Sequence, residues 1–268
     1  MPAKIISIPF LLLTALFVYL TLEQDESFSL YIIIFVLLLS VIYTFSPQIN
    51  WWWYQRYPPE IDEEMRKLLI KNHSFYNNLS IKEKKQFRNR MAMYMEAVEF
   101  MPKGWERLPE DIKGVIAANA VQMTFNQKEF LLPKFERIVV YTTPFPSPQY
   151  PKTLHASEVF EEDGVFLFSA QQIMWSFLQP KQYYNLVLHE YIKAYQMSYP
   201  NKNYPTLKED DWVILEKICG LTRKQIEGII NTPDIDPSLV SGTLYFTHKE
   251  KYQQIAPELF QKWKEIFN

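Results

Sequence analysis

Cysteine occurs once in 268 residues, at Cys219. A single thiol excludes an intrachain disulfide and a multi-cysteine zinc site, and it accords with a reducing compartment. Glycine occurs six times. Neither G-x-x-x-x-G-K-[ST] nor G-x-G-x-x-G is present, so the loops that cradle nucleotide phosphates are missing. Charge of one sign is also missing: 28 Lys and Arg stand against 30 Asp and Glu, a net of -2. That leaves no basic field for nucleic acid and no acidic run of the kind that marks a disordered tail. The sequence has no internal repeats and no low-complexity segments.

Apolar residues make up 48% of the chain and aromatics 16%, enough for a packed core. Two hydrophobic runs open it. Ile5 to Leu22 and Phe28 to Phe45 are each 18 residues without a charge. As helices each reaches about 27 Å, close to the thickness of a bilayer's hydrocarbon. Only Glu23-Gln24-Asp25-Glu26-Ser27 separates them, which reads as a tight turn between two antiparallel spans. Trp51-Trp52-Trp53-Tyr54, followed by Arg56, fits an aromatic belt at the water interface. As a stacking platform for nucleic acid it lacks a flanking basic cluster. A cleavable signal peptide is disfavoured by the missing A-x-A site and by the second span. Residues 1–57 are therefore read as a membrane hairpin. Pro58-Pro59 breaks the chain, and 58–268 is read as one soluble domain.

In that domain, Ile61 to Ile70 reads as a helix. Ser80 and Glu83 form a capping box that opens a helix with Phe87, Met91, Tyr94, Met95 and Val98 on one face. Pro109 starts the next helix, with Ile112, Val115, Ile116, Ala120 and Met123 as its buried face and Asn119 among them, an amide that needs a partner. Arg137 to Tyr141 and Val165 to Phe168 read as strands, with a proline-rich loop from Pro144 to Pro151 between them. Helices follow at Gln171 to Phe177, Gln182 to Met197 and Asp211 to Ile218. A second capping box spans Thr222 to Gln225, and the tail from Pro237 to Phe267 is mostly helical. The class is α+β, mainly helical, with a small sheet.

The chemistry concentrates in Asn185-Leu186-Val187-Leu188-His189-Glu190-Tyr191-Ile192-Lys193. One change, Lys193 to His, would complete H-E-x-x-H. On a helix, residues i and i+4 share a face, so two histidines at that spacing hold one zinc and the Glu takes a proton from its water. A lone His-Glu pair is otherwise an ordinary feature of a half-buried helix. The surrounding order is more specific. Asn78-Leu79-Ser80 with its capped helix, Glu136 to Phe145, Glu158-Val159-Phe160 with Gly164 to Ser169, Tyr184 to Glu190 and Ala256 to Phe260 together resemble the zinc-dependent peptidase family of Mlc titration factor A, over about Glu60 to Phe267.

The resemblance implies a gluzincin-like fold. It places His189 at the first zinc-ligand position and Glu190 at the general base. Lys193 stands where the second His ligand belongs. The later Glu ligand falls near Pro237 or Leu239, with Asp236 the nearest carboxylate. Two of three ligands are thus replaced, and a lysine ammonium repels a metal and offers no lone pair. The reading this favours is a membrane-anchored, catalytically silent domain without a cofactor. It would bind a protein or peptide along an edge strand at Val165, Phe166, Leu167 and Phe168. An alternative keeps zinc in an active (amino)peptidase with a rearranged site of His189 with Asp236, His155 or Glu158. A third reading is a structural membrane protein with an unrelated helical domain. No nucleic acid is expected as a partner.

Lys193 is expected to point into the cleft beside His189 and Glu190 and to supply charge in a metal's place; the competing reading is a surface lysine. Charge also sets orientation. Lys4 precedes the first span, acids fill the turn, and Arg56, Arg66 and Lys67 follow the second span. This predicts the inner (cytoplasmic) membrane, with both termini and the soluble domain in the cytoplasm. A carboxy-terminal tag should then resist protease added outside right-side-out vesicles, and its cleavage from outside would reverse the orientation.

Overall fold

The computed structural model describes residues 2–232 and 235–268. The chain forms two compact units, Met1–Pro59 and Glu60–Asn268. In the first, α1 (Pro2–Glu23) and α2 (Ser29–Thr44) lie side by side, and the helical stretches Pro2–Glu23 and Glu26–Thr44 are each long and apolar enough to cross a membrane. Phe17 of α1 stacks on Tyr31 and Phe35 of α2, with ring centroids 4.9 Å and 5.5 Å apart. Helix α3 (Ser46–Arg56) carries the four consecutive aromatics and returns to the start of α1, where Asn50 Oδ1 accepts from the Ala3 amide at 2.9 Å.

The second unit is helical around one sheet. Helices α4 (Glu63–Asn72), α5 (Ser74–Asn78) and α6 (Ile81–Ala97) lead into β1 (Glu99–Lys103). Then come α7 (Glu110–Met123), β2 (Arg137–Tyr141), β3 (Ser157–Phe160) and β4 (Val165–Ser169). Next are α8 (Ala170–Leu178), α9 (Leu186–Ser198), α10 (Trp212–Cys219) and α11 (Arg223–Ile230). Helices α12 (Pro237–Thr247), α13 (Lys249–Ile255) and α14 (Pro257–Phe267) finish the chain. Both capping boxes form, at Ser80 with Glu83 and at Thr222 with Gln225. Pro109 is the cap before α7 rather than its first residue, because its ψ of 140° is extended.

The strand order is β1-β2-β4-β3, with β3 alone antiparallel. This corrects the edge assignment: Val165, Phe166, Leu167 and Phe168 form an inner strand between β2 and β3. Their uninterrupted apolar character is that of a strand covered on both faces. Ile138 pairs with Phe166 and Val140 with Phe168, and all four are fully buried. Gly164, at φ +60°, turns β3 into β4; a Cβ there would lie 2.0 Å from the Lys134 carbonyl oxygen.

Helix α9 packs under this sheet and is buried on nearly every side from Leu186 to Tyr195, apart from Lys193. Tyr191 stacks on Phe166 at 4.3 Å, and its hydroxyl bonds that of Tyr94 on α6. The helix begins four residues later than the predicted Gln182, because Asn185 caps it: Asn185 Oδ1 accepts from the Leu188 amide at 3.0 Å. Asn185 Nδ2 donates to Asn119 Oδ1 at 2.8 Å, and Asn119 Nδ2 donates to the Val115 carbonyl at 2.8 Å. The buried amide of α7 thereby finds its partner. On the other side, α12 approaches α9 at Gly242, where a Cβ would stand 3.1 Å from Ile192 and 3.0 Å from Trp263.

His73 caps α5: its Nδ1 accepts from the Tyr76 amide at 3.2 Å, and its ring packs against Phe87 and Phe177. Burial lowers its pKa from 6.5 to about 4. The unfolded chain therefore binds the proton first, and this histidine's contribution to stability is complete above pH 6.5 and lost as pH falls toward 4. The loss is at most about 3 kcal/mol. His73→Asn keeps a capping acceptor and removes the titration. Urea denaturation at pH 7 and pH 4.5 should show a smaller acid loss in the variant; an equal loss would reject this account.

Candidate functional site

One cavity of about 320 Å³ gathers the residues of interest, walled by β3, α9 and the start of α12. His189, Glu190, Lys193 and Asp236 all line it, together with Ser157, Glu158, Tyr150 and Leu239. The inner strand Val165–Phe168 does not. His155 lies wholly buried behind Glu158.

Helix α9 places His189 and Glu190 at the cavity because its start is clasped to α7. Both side chains are almost entirely buried. His189 Nδ1 bonds the Tyr184 hydroxyl at 2.9 Å. Burial first, and then the charge of Lys193, pull the His189 pKa down to about 3, so the ring is neutral. When Nδ1 is the donor to Tyr184, Nε2 faces the cavity as a lone pair; when the phenol donates, it faces the cavity as N–H.

Glu190 Oε1 accepts from the Ser157 hydroxyl at 2.8 Å, and Oε2 is buried with no partner. Burial raises the Glu190 pKa; the Lys193 charge and the Ser157 bond oppose the rise, and Glu158 adds to it. Glu158 resolves differently. Burial pushes its pKa up, but the bond from His155, nearby Ser147 and the charges of His155 and Lys193 outweigh that, and the net shift is downward. Two neighbouring carboxyls are thus driven apart in acidity.

His155 uses both ring nitrogens. Nδ1 faces the Thr153 carbonyl at 3.2 Å, which can only accept, so Nδ1 carries a proton. Nε2 faces Glu158 Oε2 at 3.1 Å. Phe145 and Tyr150 set their rings edge-on to it at 4.6 Å and 5.4 Å. A histidine engaged at both nitrogens is no free ligand. Glu158 Oε1 is buried without a partner, like Glu190 Oε2.

Lys193 is half-buried and lines the cavity. Its charge acts on His189, Glu190 and Glu158 at once. Yet among the described residues it makes no ion pair within 4.0 Å. Asp236 caps α12, its carboxylate accepting from the Ser238 amide at 2.7 Å, and it is exposed at the cavity rim. The sheet's edge on this side is β3, but Ser157 is 0% exposed and Glu158 and Val159 3% each. The amide of Ala156, just before β3, donates to the Ile230 carbonyl at 3.1 Å, so the end of α11 covers the start of this edge.

The sequence does not mark Ser157 or Tyr150 as site residues, and it places Tyr184 only within the stretch that leads into the His-Glu helix. Ser157 meets Glu190 from a different element, and no local spacing announces that. Tyr184, five residues before His189, sits in the loop before the helix cap and offers a weak local signal.

A small mixed sheet lies over a buried helix whose His-Glu pair sits at a cavity wall, and its family match makes this a peptidase-like protein. The profile of the glucose-regulated metallo-peptidase M90 family matches residues 49–198, more than half of the chain and all of α9. The chain belongs to that family. The comparison with curated proteins finds no match.

A metallopeptidase family implies a metal, and the donor set tests it. Zinc sites use at least three protein ligands. Here one imidazole nitrogen faces the cavity, an ammonium stands at the next position on the same helical face, and His155 is committed to Glu158. Among the described residues no three His, Cys, Asp or Glu side chains are grouped to hold a metal ion. The described residues do not by themselves supply a zinc site.

Lys193→Met removes the larger of the two positive charges, Lys193 and His155, that oppose the rise of the Glu190 pKa. A carboxyl whose folded pKa is raised contributes fully below its unfolded value and loses stability as pH rises toward the folded value. The variant should widen that loss, costing about 1 to 3 kcal/mol at neutral pH and less in acid. Denaturation across pH 4 to 8 checks it; a near-neutral, pH-independent change would show Lys193 acting as a surface charge.

Proposed function

We propose that this protein is a membrane-anchored member of the metallopeptidase family whose cleft works without a metal, is catalytically silent, and binds a protein or peptide on the cytoplasmic side of the inner membrane. The observation that carries the reading is the ammonium of Lys193, four residues after His189, in a cavity where His189 and Glu190 have no complementary set of ligands among the described residues. His189 and Glu190 are then vestiges of ligand and general base. Asp236, held as a helix cap, is a rim residue rather than a substitute ligand. The two apolar helices of the first unit support the anchor.

The binding mode differs from strand addition. Val165–Phe168 is internal, and the edge strand β3 has almost no exposed surface along Ser157 to Val159. Recognition therefore falls to side chains of the cavity and its rim.

Purified full-length protein should carry far less than one zinc per chain and should not cleave peptides. Elemental analysis and a peptidase assay, each with and without chelator, test this. One zinc per chain, with peptidase activity that the chelator removes, would overturn it in favour of an active enzyme with a rearranged site.

A further inference from the structure

The cavity contains an unused pair of acceptors and an unused donor. Glu190 Oε2 and Glu158 Oε1 are buried and unpartnered, on side chains only 3% exposed. A buried carboxylate oxygen without a partner is costly. Lys193 faces the same cavity and electrostatically affects both carboxyls, yet among the described residues it makes no ion pair within 4.0 Å. The ammonium and these two carboxyls form no direct ion pair, and a group seated between them would bond both sides.

A pure cation would satisfy the oxygens but face Lys193. A pure anion would satisfy Lys193 but face Glu158, Glu190 and Asp236. A neutral group that donates on one side and accepts on the other satisfies both. The carboxamide is such a group, with N–H toward a carboxyl and C=O toward an ammonium, and hydrogen bonds to charged partners are the strong ones. The cavity, at about 320 Å³, is at the small end of ligand sites and holds a short segment rather than a folded surface.

We infer that the cleft clamps a single internal peptide amide, its N–H on Glu190 or Glu158 and its carbonyl on Lys193, with His189 beside it. This rests on the metal-free reading above and names the group recognised. Lys193 is here a binding residue in its own right.

The test uses full-length protein in detergent micelles with chelator present, and acetyl-trialanine amide, whose capped ends leave amides as its only polar groups. Calorimetric titration should show binding. Lys193→Met should weaken it at least about tenfold, the loss expected for a hydrogen bond to a charged group. At least one of Glu190→Met and Glu158→Met should do the same where thermal unfolding shows the variants folded, and unchanged binding by both would overturn the clamp; if neither folds, Lys193→Met decides alone. No binding of the capped peptide, equal binding by Lys193→Met, or binding of free trialanine only would each overturn the amide clamp. Binding that appears only when zinc is added and chelator omitted would instead overturn the metal-free reading, so the two failures are distinguishable.

Discussion

The amide clasp between Asn185 and Asn119 governs where the chemistry of this protein lies. Asn185 does two jobs with one side chain: its oxygen caps α9, and its nitrogen ties that cap to the middle of α7. A helix start held in this way fixes both the height and the rotation of the helix. Each residue advances the helix by about 100°, so a cap displaced by one position would swing His189, Glu190 and Lys193 off the cavity together. The stacking of Tyr191 on Phe166 and the contact of Ile192 with the Gly242 turn of α12 follow from the same placement.

The electrostatics of the cleft grow from that geometry. Burial favours the neutral forms of His189 and Glu190: the imidazole is pulled down and the Glu190 carboxyl pushed up. Lys193 deepens the first shift and opposes the second. Glu158 escapes the effect of burial because His155 stands behind it with a nitrogen toward its oxygen. The result is a cavity in which two neighbouring carboxyls of the same chemistry are shifted in opposite directions.

Much of the fold was legible because local signals agreed with tertiary demand. The two capping boxes, the strand Arg137–Tyr141 and the apolar helix at Val115 to Met123 all have patterns that depend only on neighbours in sequence. β1 was missed because Glu99-Phe100-Met101-Pro102-Lys103 has polar ends and a proline, which a sheet tolerates only at its margin. β3 was missed because Ser157 and Glu158 are polar and buried, which no alternation rule anticipates. The Val165–Phe168 edge assignment failed although the clue was present: four consecutive apolar residues belong inside a sheet. In the site, the His-Glu pair and its lysine were visible as spacing. The hydroxyls that hold them, from Ser157 and Tyr184, depend on how separate elements meet.

The covered margin at β3 has a further consequence. Exposed strand edges are templates on which a second chain adds and aggregation begins. Here one margin starts beneath the end of α11 and has no exposed surface along most of its length, and the other carries Pro102, which has no N–H to offer. At the β3 margin a second chain cannot pair until the end of α11 has first come away, so the protection of that margin is set by the local unfolding of α11 rather than by the sheet itself.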